Sequence, residues 1–297
     1  MNDVSAIARS PYHARFQRVL DYIEAHTEGD LSAEALSAVA AFSRFHFHRQ
    51  FAAQFGVSAH RYVHLVRLKR AGYQLAYRDQ LSVLEIALGA GYEGPEAFAR
   101  TFKQLTGQTP SDFRSQPQWH TWQNILQPLA DIKATHMKQH WQPDQVKIVE
   151  VPATRLAVME HRGDPTQIGN TIRAFIAWRK SVGLSPKVSA TYNILYDDPT
   201  ATPPDQFKLD LGVATARDIT AQDVGLVMKT IPAGRCAVLR HVGSEATFGD
   251  AVMYLYAQWL PQSGADARDF PLYCQRVAFY PDVPEHQAVT DIYLPLQ

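Results

Sequence analysis

Between Glu34 and Asp79 the chain has no acidic residue, yet Arg44, Arg49, Arg61, Arg67, Lys69, Arg70 and Arg78 all fall there, with His46, His48, His60 and His64 among them. Fixed positive charge without carboxylates suits a surface that meets a polyanion, because phosphate affinity comes from cations that displace condensed counterions. A solvated helix face or another acidic partner would use the same residues. Elsewhere reactive groups are sparse. Glu160, Asp210 and Glu245 are available acids, but none has a spaced partner that marks it as a general base. His136 and His140 stand four apart with no third ligand nearby, which reads as surface histidines rather than a metal site. Cys236 and Cys274 form no CxxC pair and suit a reducing compartment. No catalytic residue, metal or cofactor is assigned, and the chain reads as non-enzymatic.

The elements that must position the cations follow from periodicity. Phe16, Val19, Leu20 and Ile23 recur at helical spacing and the helix stops near Gly29. In LSAEALSAVAAFSRFHFHRQFAAQFGVS, Ser32 can cap a short helix carrying Leu36 and Val39, and Ser43 can cap a second. The gap between them, Ala41 to Ser43, is short enough to force the steep crossing of a helix-turn-helix. Phe47 and Phe51 point at the core, and Arg44, Phe45, His48 and Arg49 share the other side. After a connecting helix over roughly 59–77 the pattern returns in LSVLEIALGAGYEGPEAFARTFKQLTGQTPSDFR. There Ser82 is the cap, Gly89 and Gly91 make the turn, Pro95 opens the next helix, and Phe98 and Phe102 repeat the core spacing. Both units close the frame with a glycine, Gly56 and Gly107.

Over residues 15–114 the sequence resembles the AraC family of transcription regulators, carried by LSAEALSAVAAFSRFHFHRQF, RLKRAGYQLA and above all SVLEIALGAGYEGPEAFARTFKQLTGQTPSDFR. The resemblance implies an all-α double helix-turn-helix domain whose two recognition helices enter adjacent major grooves. It places Arg44, Phe45, His48 and Arg49 on the first of these and Pro95, Glu96, Ala97 and Arg100 on the second. Arg49 suits bidentate contact with guanine or a phosphate, and Glu96 can accept from a cytosine amino group. Arg100 is a contact candidate that could instead pair with Glu96 at i, i+4.

Residues 116–145, rich in Gln with scattered Pro and Trp, read as a partly ordered linker. Beyond it VPATRLAVMEHRGD (151–164) matches IPAGRCAVLRHVGS (231–244), with 7 of 14 positions identical, an internal duplication. Each copy reads as strand, helix and two more strands, so the expected fold is an α+β domain of two βαββ repeats that close on a pseudo-dyad and leave a groove. Residues 146–297 resemble the GyrI-like effector-binding domains through VPATRLAVMEHRG, LYDDP and TDIYLPLQ, and fusion to an AraC-type domain is the Rob-type arrangement. The resemblance implies an aromatic groove with, in many cationic-drug sensors, a glutamate in a pattern like FExY. Here the pattern is VAFY, with Ala278 in the acid's place. Strand alternation puts Arg276, Ala278 and Tyr280 on one face, and Tyr192, Ile194 and Tyr196 on the corresponding face of the first half. Trp178 and Trp259, from the two helices, line the groove or pack the core. Without an acid, such a groove suits a neutral or anionic ligand.

The domains are therefore expected at 1–115 for DNA binding, 116–145 as linker and 146–297 for effector binding. Double-stranded DNA and a small-molecule effector are the expected partners, with RNA polymerase a further candidate and either a monomer or a homodimer as the binding form. A hydrolase and a protein-binding module are the alternative readings of the C-terminal half. The chain's 297 residues, 46% hydrophobic and 20% charged, exclude disorder and favour two domains. Its apolar stretches are broken before the 18 or so residues of a membrane span, and MNDVSAIARSPYHARF lacks an apolar signal core, so a cytoplasmic protein is expected.

Overall fold

The computed structural model of the protein describes residues 11–137 and 139–297; most of the N-terminal stretch read for a signal core lies outside the described residues. The chain divides into two compact units, the first formed by residues up to 138 together with Pro284–His286, the second by the rest.

In the first unit the described residues form α1 (Pro11–Ala25), α2 (Ala33–Ala40), α3 (Arg44–Phe55), α4 (Ala59–Tyr77), α5 (Val83–Gly89), α6 (Pro95–Thr106), α7 (Pro110–Ser115) and α8 (Trp119–His136). The apolar stripe of α1 is buried as its period requires. Ser32 caps α2 by accepting from Ala35 N, and Ala41 turns the chain with φ 52°. Ser43 occupies the N-cap of α3, but its side chain makes no capping hydrogen bond. Ser82 and Glu85 form a reciprocal capping box on α5, and Pro95 opens α6. The repeated glycine of the sequence frame is explained by backbone geometry. Gly56 (φ 70°) and Gly107 (φ 76°) end α3 and α6 in the left-handed region, where a Cβ is costly.

Most of the stretch read as a linker, Trp119–His136, is α8, and it belongs to this core. Trp119 and Trp122 are buried against Phe113, and Leu129 and Ile132 join α1, α3 and α4, while Gln123, Asn124, Gln127 and Asp131 face solvent. The polar composition obscured an amphipathic helix whose apolar residues keep helical spacing. Trp122 lies on Gly72 of α4, with no room for a side chain there.

A buried ionic cluster lies in the same unit. Lys133 of α8, 2% exposed, pairs with Glu24 of α1 at 2.5 Å and with Glu285. Lys69 of α4 holds the other oxygen of Glu285 at 2.8 Å, and the backbone N–H of His286 donates to Glu24. Burial raises the Glu285 carboxyl, but Lys69 and Lys133 outweigh it and hold the group far below the usual range. Such a group is tolerable only when each charge has a partner.

In the second unit an eight-stranded antiparallel sheet runs β1-β6-β8-β7-β3-β4-β2-β5. Its strands are β1 (Val146–Val151), β2 (Thr154–Arg162), β3 (Thr191–Leu195), β4 (Lys208–Ala214), β5 (Leu226–Ile231), β6 (Gly234–Val242), β7 (Leu272–Ala278) and β8 (Val289–Pro295). The order is a palindrome of the duplication: β1 matches β5, β2 matches β6, β3 matches β7 and β4 matches β8, with the pseudo-dyad between β3 and β7. Each repeat has one strand more than the βαββ plan, because VKIVEV and LVMKTI precede the prolines that open the matched segments. Each leading strand pairs with the other repeat's continuation, β1 on β6 and β5 on β2, which ties the halves together.

One face of the sheet is covered by α9 (Ile168–Ser181) and by α10 (Phe248–Tyr254), which runs on through a π-turn into α11 (Leu260–Ser263). Phe175 packs on Ala157, Leu211 and Val213, and Tyr254 and Trp259 on Leu239, Ile292 and Leu294. The other face carries Leu156, Val158, Ile194, Ile231, Cys236 and Tyr273, rimmed by Tyr192 and Tyr293, with no helical residue in the cluster. Among the described residues no helix is long and apolar enough to cross a membrane.

Candidate DNA interface and effector groove

In both helix-turn-helix units an inward aromatic pair orients the outward face. Phe47, Phe51 and Phe55 are buried on α3, and Phe98 and Phe102 on α6. Arg44, Phe45, His48 and Arg49 are therefore exposed on the first two turns of α3, with Phe45 84% exposed. Glu96, Ala97 and Arg100 are exposed on α6, and Pro95 is half-buried at its start. Arg44 pairs with Glu34, both largely in solvent, so it reaches this surface already partnered. Arg49 and Arg100 make no hydrogen bond or ion pair to a described residue, and the i, i+4 pair with Glu96 does not form. The Glu96 carboxylate instead curls over the start of α6, within 3.3 Å of where a Gly94 side chain would stand. An acid there occupies the electropositive helix end that would otherwise attract a phosphate.

The acid-free cationic stretch is only partly a surface. Arg67 donates to the Thr27 and Gly29 carbonyls, Arg70 pairs with Glu28, and Lys69 is spent on Glu285. Acids from outside the sequence window neutralise Lys69 and Arg70, and Arg67 and Arg70 brace α4 against the chain that follows α1. Arg49 and Arg61 stay on the exposed side. His64 meets the Tyr92 hydroxyl at 3.0 Å, joining α4 to the turn between α5 and α6, and burial holds its pKa down.

In the effector unit the register separates the expected groove residues. Tyr192 pairs with Gln275 and Ile194 with Tyr273, whereas Arg276 pairs with Thr191. Tyr192 and Ile194 therefore share the helix-free face with Tyr273 and Gln275, and Tyr196 continues it. Arg276 is on the helix-covered face, bound to Asn193 at 3.1 Å and to Glu245, over the Phe248 ring. The expected common face failed because the symmetry counterpart of Tyr192 is Tyr273 rather than Arg276, three residues away, and an odd displacement along a strand reverses every side chain. Trp178 is also on the helix side, stacked on Phe175 and donating to Asp223 at 2.8 Å, and Trp259 is buried in the other helix cluster. A bulge between Arg276 and Ala278 disturbs the end of β7, and Tyr280 lies beyond the strand.

The residues of this face that sequence reasoning did not place there are Tyr273, Gln275, Tyr293, Asp210 and Lys229. Extending the internal alignment through the later strands would have found one of them, since Tyr273 is the counterpart of Tyr192. Tyr273 and Tyr293 stack at 4.8 Å with 5° between ring planes, and the Tyr192 and Tyr293 hydroxyls both reach Gln275 Oε1 at 3.5 Å. At one end of this face Asp210, its side chain fully buried, accepts from Tyr196 at 2.8 Å, Lys229 at 2.5 Å and Arg162 at 3.2 Å. Lys229 and Arg162 also hold Glu160 at 2.5 and 2.9 Å. The hydrogen bond from Lys229 keeps the Glu160 carboxyl below its ordinary range, and burial together with Asp210 raises the Tyr196 hydroxyl. At the other end Arg240 forks onto Asp291 at 2.7 and 2.8 Å. Each carboxylate of this face is thus spoken for by a cation.

Comparison with known proteins agrees with both halves. Residues 144–297 match the GyrI-like small molecule binding domain, and residues 36–116 match a helix-turn-helix domain. The chain is similar to the probable transcriptional regulator YgiV of Escherichia coli K12, 33% identical over 152 residues that make up 51% of this chain and 95% of that protein. It is also similar to the uncharacterized HTH-type transcriptional regulator YbfP of Bacillus subtilis, 38% identical over 104 residues, 35% of each chain. Among solved structures, the EcmrR–DNA complex matches with TM-score 0.43 and 12% identity over 89% of this chain and 98% of that one. The chain belongs to the family of GyrI-like small molecule binding domains, here carried behind an AraC-type helix-turn-helix domain.

Proposed function

We propose that this protein regulates transcription by reading promoter DNA through the outer faces of α3 and α6, with a small molecule in the β3–β7 groove altering that binding. The observation that carries the DNA reading is the repeated construction of the two helices. Each buries an aromatic pair, ends on a left-handed glycine and presents its first turns to solvent. Arg49 and Arg100 are the side chains free to contact bases or phosphates, with His48 and Phe45 beside the first, Ala97 beside the second, and Arg44 released from Glu34 to a phosphate on binding. Two recognition helices in one chain serve two successive grooves, so a monomer suffices for a bipartite site. RNA polymerase is the partner through which occupancy of such a site would change transcription.

The test is selection of duplexes from a random pool by the full-length protein, with the selected duplexes rebound across a salt titration. An asymmetric site of two separated blocks is the expected result. Sequence-blind binding that vanishes with salt would refute specific recognition, because phosphate contacts alone behave that way.

A further inference from the structure

One face of α4 reaches both helix-turn-helix units at once. Arg67, near the middle of α4, donates from Nε to the Thr27 carbonyl at 2.8 Å and from Nη2 to the Gly29 carbonyl at 3.2 Å. Those two residues lie in the connection from α1 to α2, just ahead of Ser32, which caps α2. The same guanidinium lies against Gly91 in the turn between α5 and α6, where a Cβ on Gly91 would stand 2.5 Å from Nη1 and 2.8 Å from Cζ. Gly91 has φ 81°, so its backbone and this close approach both require glycine. On either side of Arg67 the same two segments are met again. His64 holds the Tyr92 hydroxyl at 3.0 Å, and the Tyr92 ring packs edge-on against Phe98 of α6 at 5.4 Å. Arg70 pairs with Glu28 at 2.8 Å, and Glu28 Oε1 is 3.6 Å from where a Gly89 Cβ would stand. By contrast, the apolar cluster that holds α1, α2 and α3 takes in α4 and α8 but, among the described residues, nothing from α5 or α6. The entry to the first helix-turn-helix and the turn of the second are thus tied by a polar seam with Arg67 at its centre.

We infer that Arg67 is a positioning residue that sets the spacing of the DNA site: gripping the α1–α2 connection while seated on the α5–α6 turn, it fixes α3 relative to α6, so that only one separation of the two base blocks is bound well. This deepens the DNA reading and rests on it. The demand is strict because one turn of duplex spans about 10 base pairs and about 34 Å, so one added pair moves the second block by about 3.4 Å and swings it by about 35° around the axis. Hydrogen bonds to base edges do not survive a displacement of that size unless α6 follows it. Arginine suits this post better than lysine. Its planar fork sends two N–H groups to separate carbonyls and still presents a further nitrogen to the glycine, whereas an ammonium is a compact donor on a flexible stem.

The test uses the full-length protein and duplexes derived from the site it selects: the selected spacing, one base pair inserted or removed between the blocks, and each block alone. The parent protein is expected to lose at least tenfold in affinity when the spacing changes. In Arg67→Met, and in Arg67→Lys, which keeps the charge, that penalty should fall to threefold or less, while affinity for each single block stays within threefold of the parent. A merely structural role would lower affinity for every duplex by a common factor and leave the spacing penalty intact. A second readout needs no DNA. Spin labels on Ala53→Cys of α3 and Gln104→Cys of α6, both exposed while the native Cys236 and Cys274 are buried, report the distance between the two helices by pulsed electron-spin resonance. The distance distribution should be narrow in the parent and broaden in both Arg67 variants. A parent protein indifferent to spacing, a penalty retained in either variant, or label distances of unchanged width would each overturn the inference. Failure of the DNA reading looks different: no two-block site emerges from selection, although the label distribution still broadens.

Discussion

Glu285→Gln removes one charge from the buried cluster of the helical unit while nearly preserving shape. Lys133 is 2% exposed and is held by Glu24 and Glu285; Lys69, 29% exposed, also relies on Glu285. Breaking a buried pair by removing one partner costs about 3–5 kcal/mol, mostly the penalty of the charge left behind. Lys133 keeps Glu24 and Lys69 can turn towards water, so the expected loss lies at the lower end, about 3 kcal/mol. Because a two-domain chain need not unfold in one step, the assay is native-state hydrogen exchange of α1, α4 and α8. Amides that exchange by opening of this core should speed up by roughly 150-fold, at about 1.4 kcal/mol per tenfold. Lys133→Met, which leaves two buried carboxylates facing each other, should be worse, and Lys69→Met milder. The pH dependence has a definite sign. Glu24 and Glu285 have lowered pKa values, so their contribution is present above the ordinary carboxylate range and is lost as pH falls through it. The hydrogen bond to Glu24 raises His286, whose contribution is complete below its ordinary value near 6.5 and is lost as pH rises past its folded value. The cluster therefore stabilises most between about pH 4.5 and 6.5. Exchange in Glu285→Gln within twofold of the parent protein would refute the reasoning.

Arg49→Ala should weaken binding to selected DNA by about 1–3 kcal/mol and relax preference at one base pair, as read by competition with single-base variants of the site; a uniform loss across sequences would make Arg49 a phosphate contact instead. Glu96→Gln should strengthen DNA binding by about 0.3–1 kcal/mol, because it uncovers the start of α6, and the gain should shrink with salt in a fluorescence-anisotropy titration. Gly72→Ala places a methyl group into the Trp122 ring and should cost about 1–3 kcal/mol, measured as faster exchange in α4 and α8.

Much of the helical unit was legible because its signals are local. Serine caps, a proline at a helix start, aromatic pairs four apart and a glycine where a left-handed residue is required all act within one turn of chain. The duplication was legible too, since repeated identities need no knowledge of contacts. Where the reading failed, a distant partner was missing from view. The polar residues of α8 hid a helix whose apolar side meets α1, α3 and α4, and the cations at 67–70 looked like a DNA-facing charge until Glu28 and Glu285 appeared beside them.

By itself the sequence determined the families, the paired recognition helices and their outward residues, and a two-fold effector domain, because periodicity and local backbone preference carry that information. Tertiary structure alone decided which residues face the groove. Tyr192 and Tyr273 share it and Arg276, Trp178 and Trp259 do not, because the β3–β7 register sets the side of every residue and a shift of one exchanges the faces. It also decided that the groove's carboxylates are neutralised and that Gly212 stands where the other half has Tyr293, since both facts depend on strands brought together from distant parts of the chain.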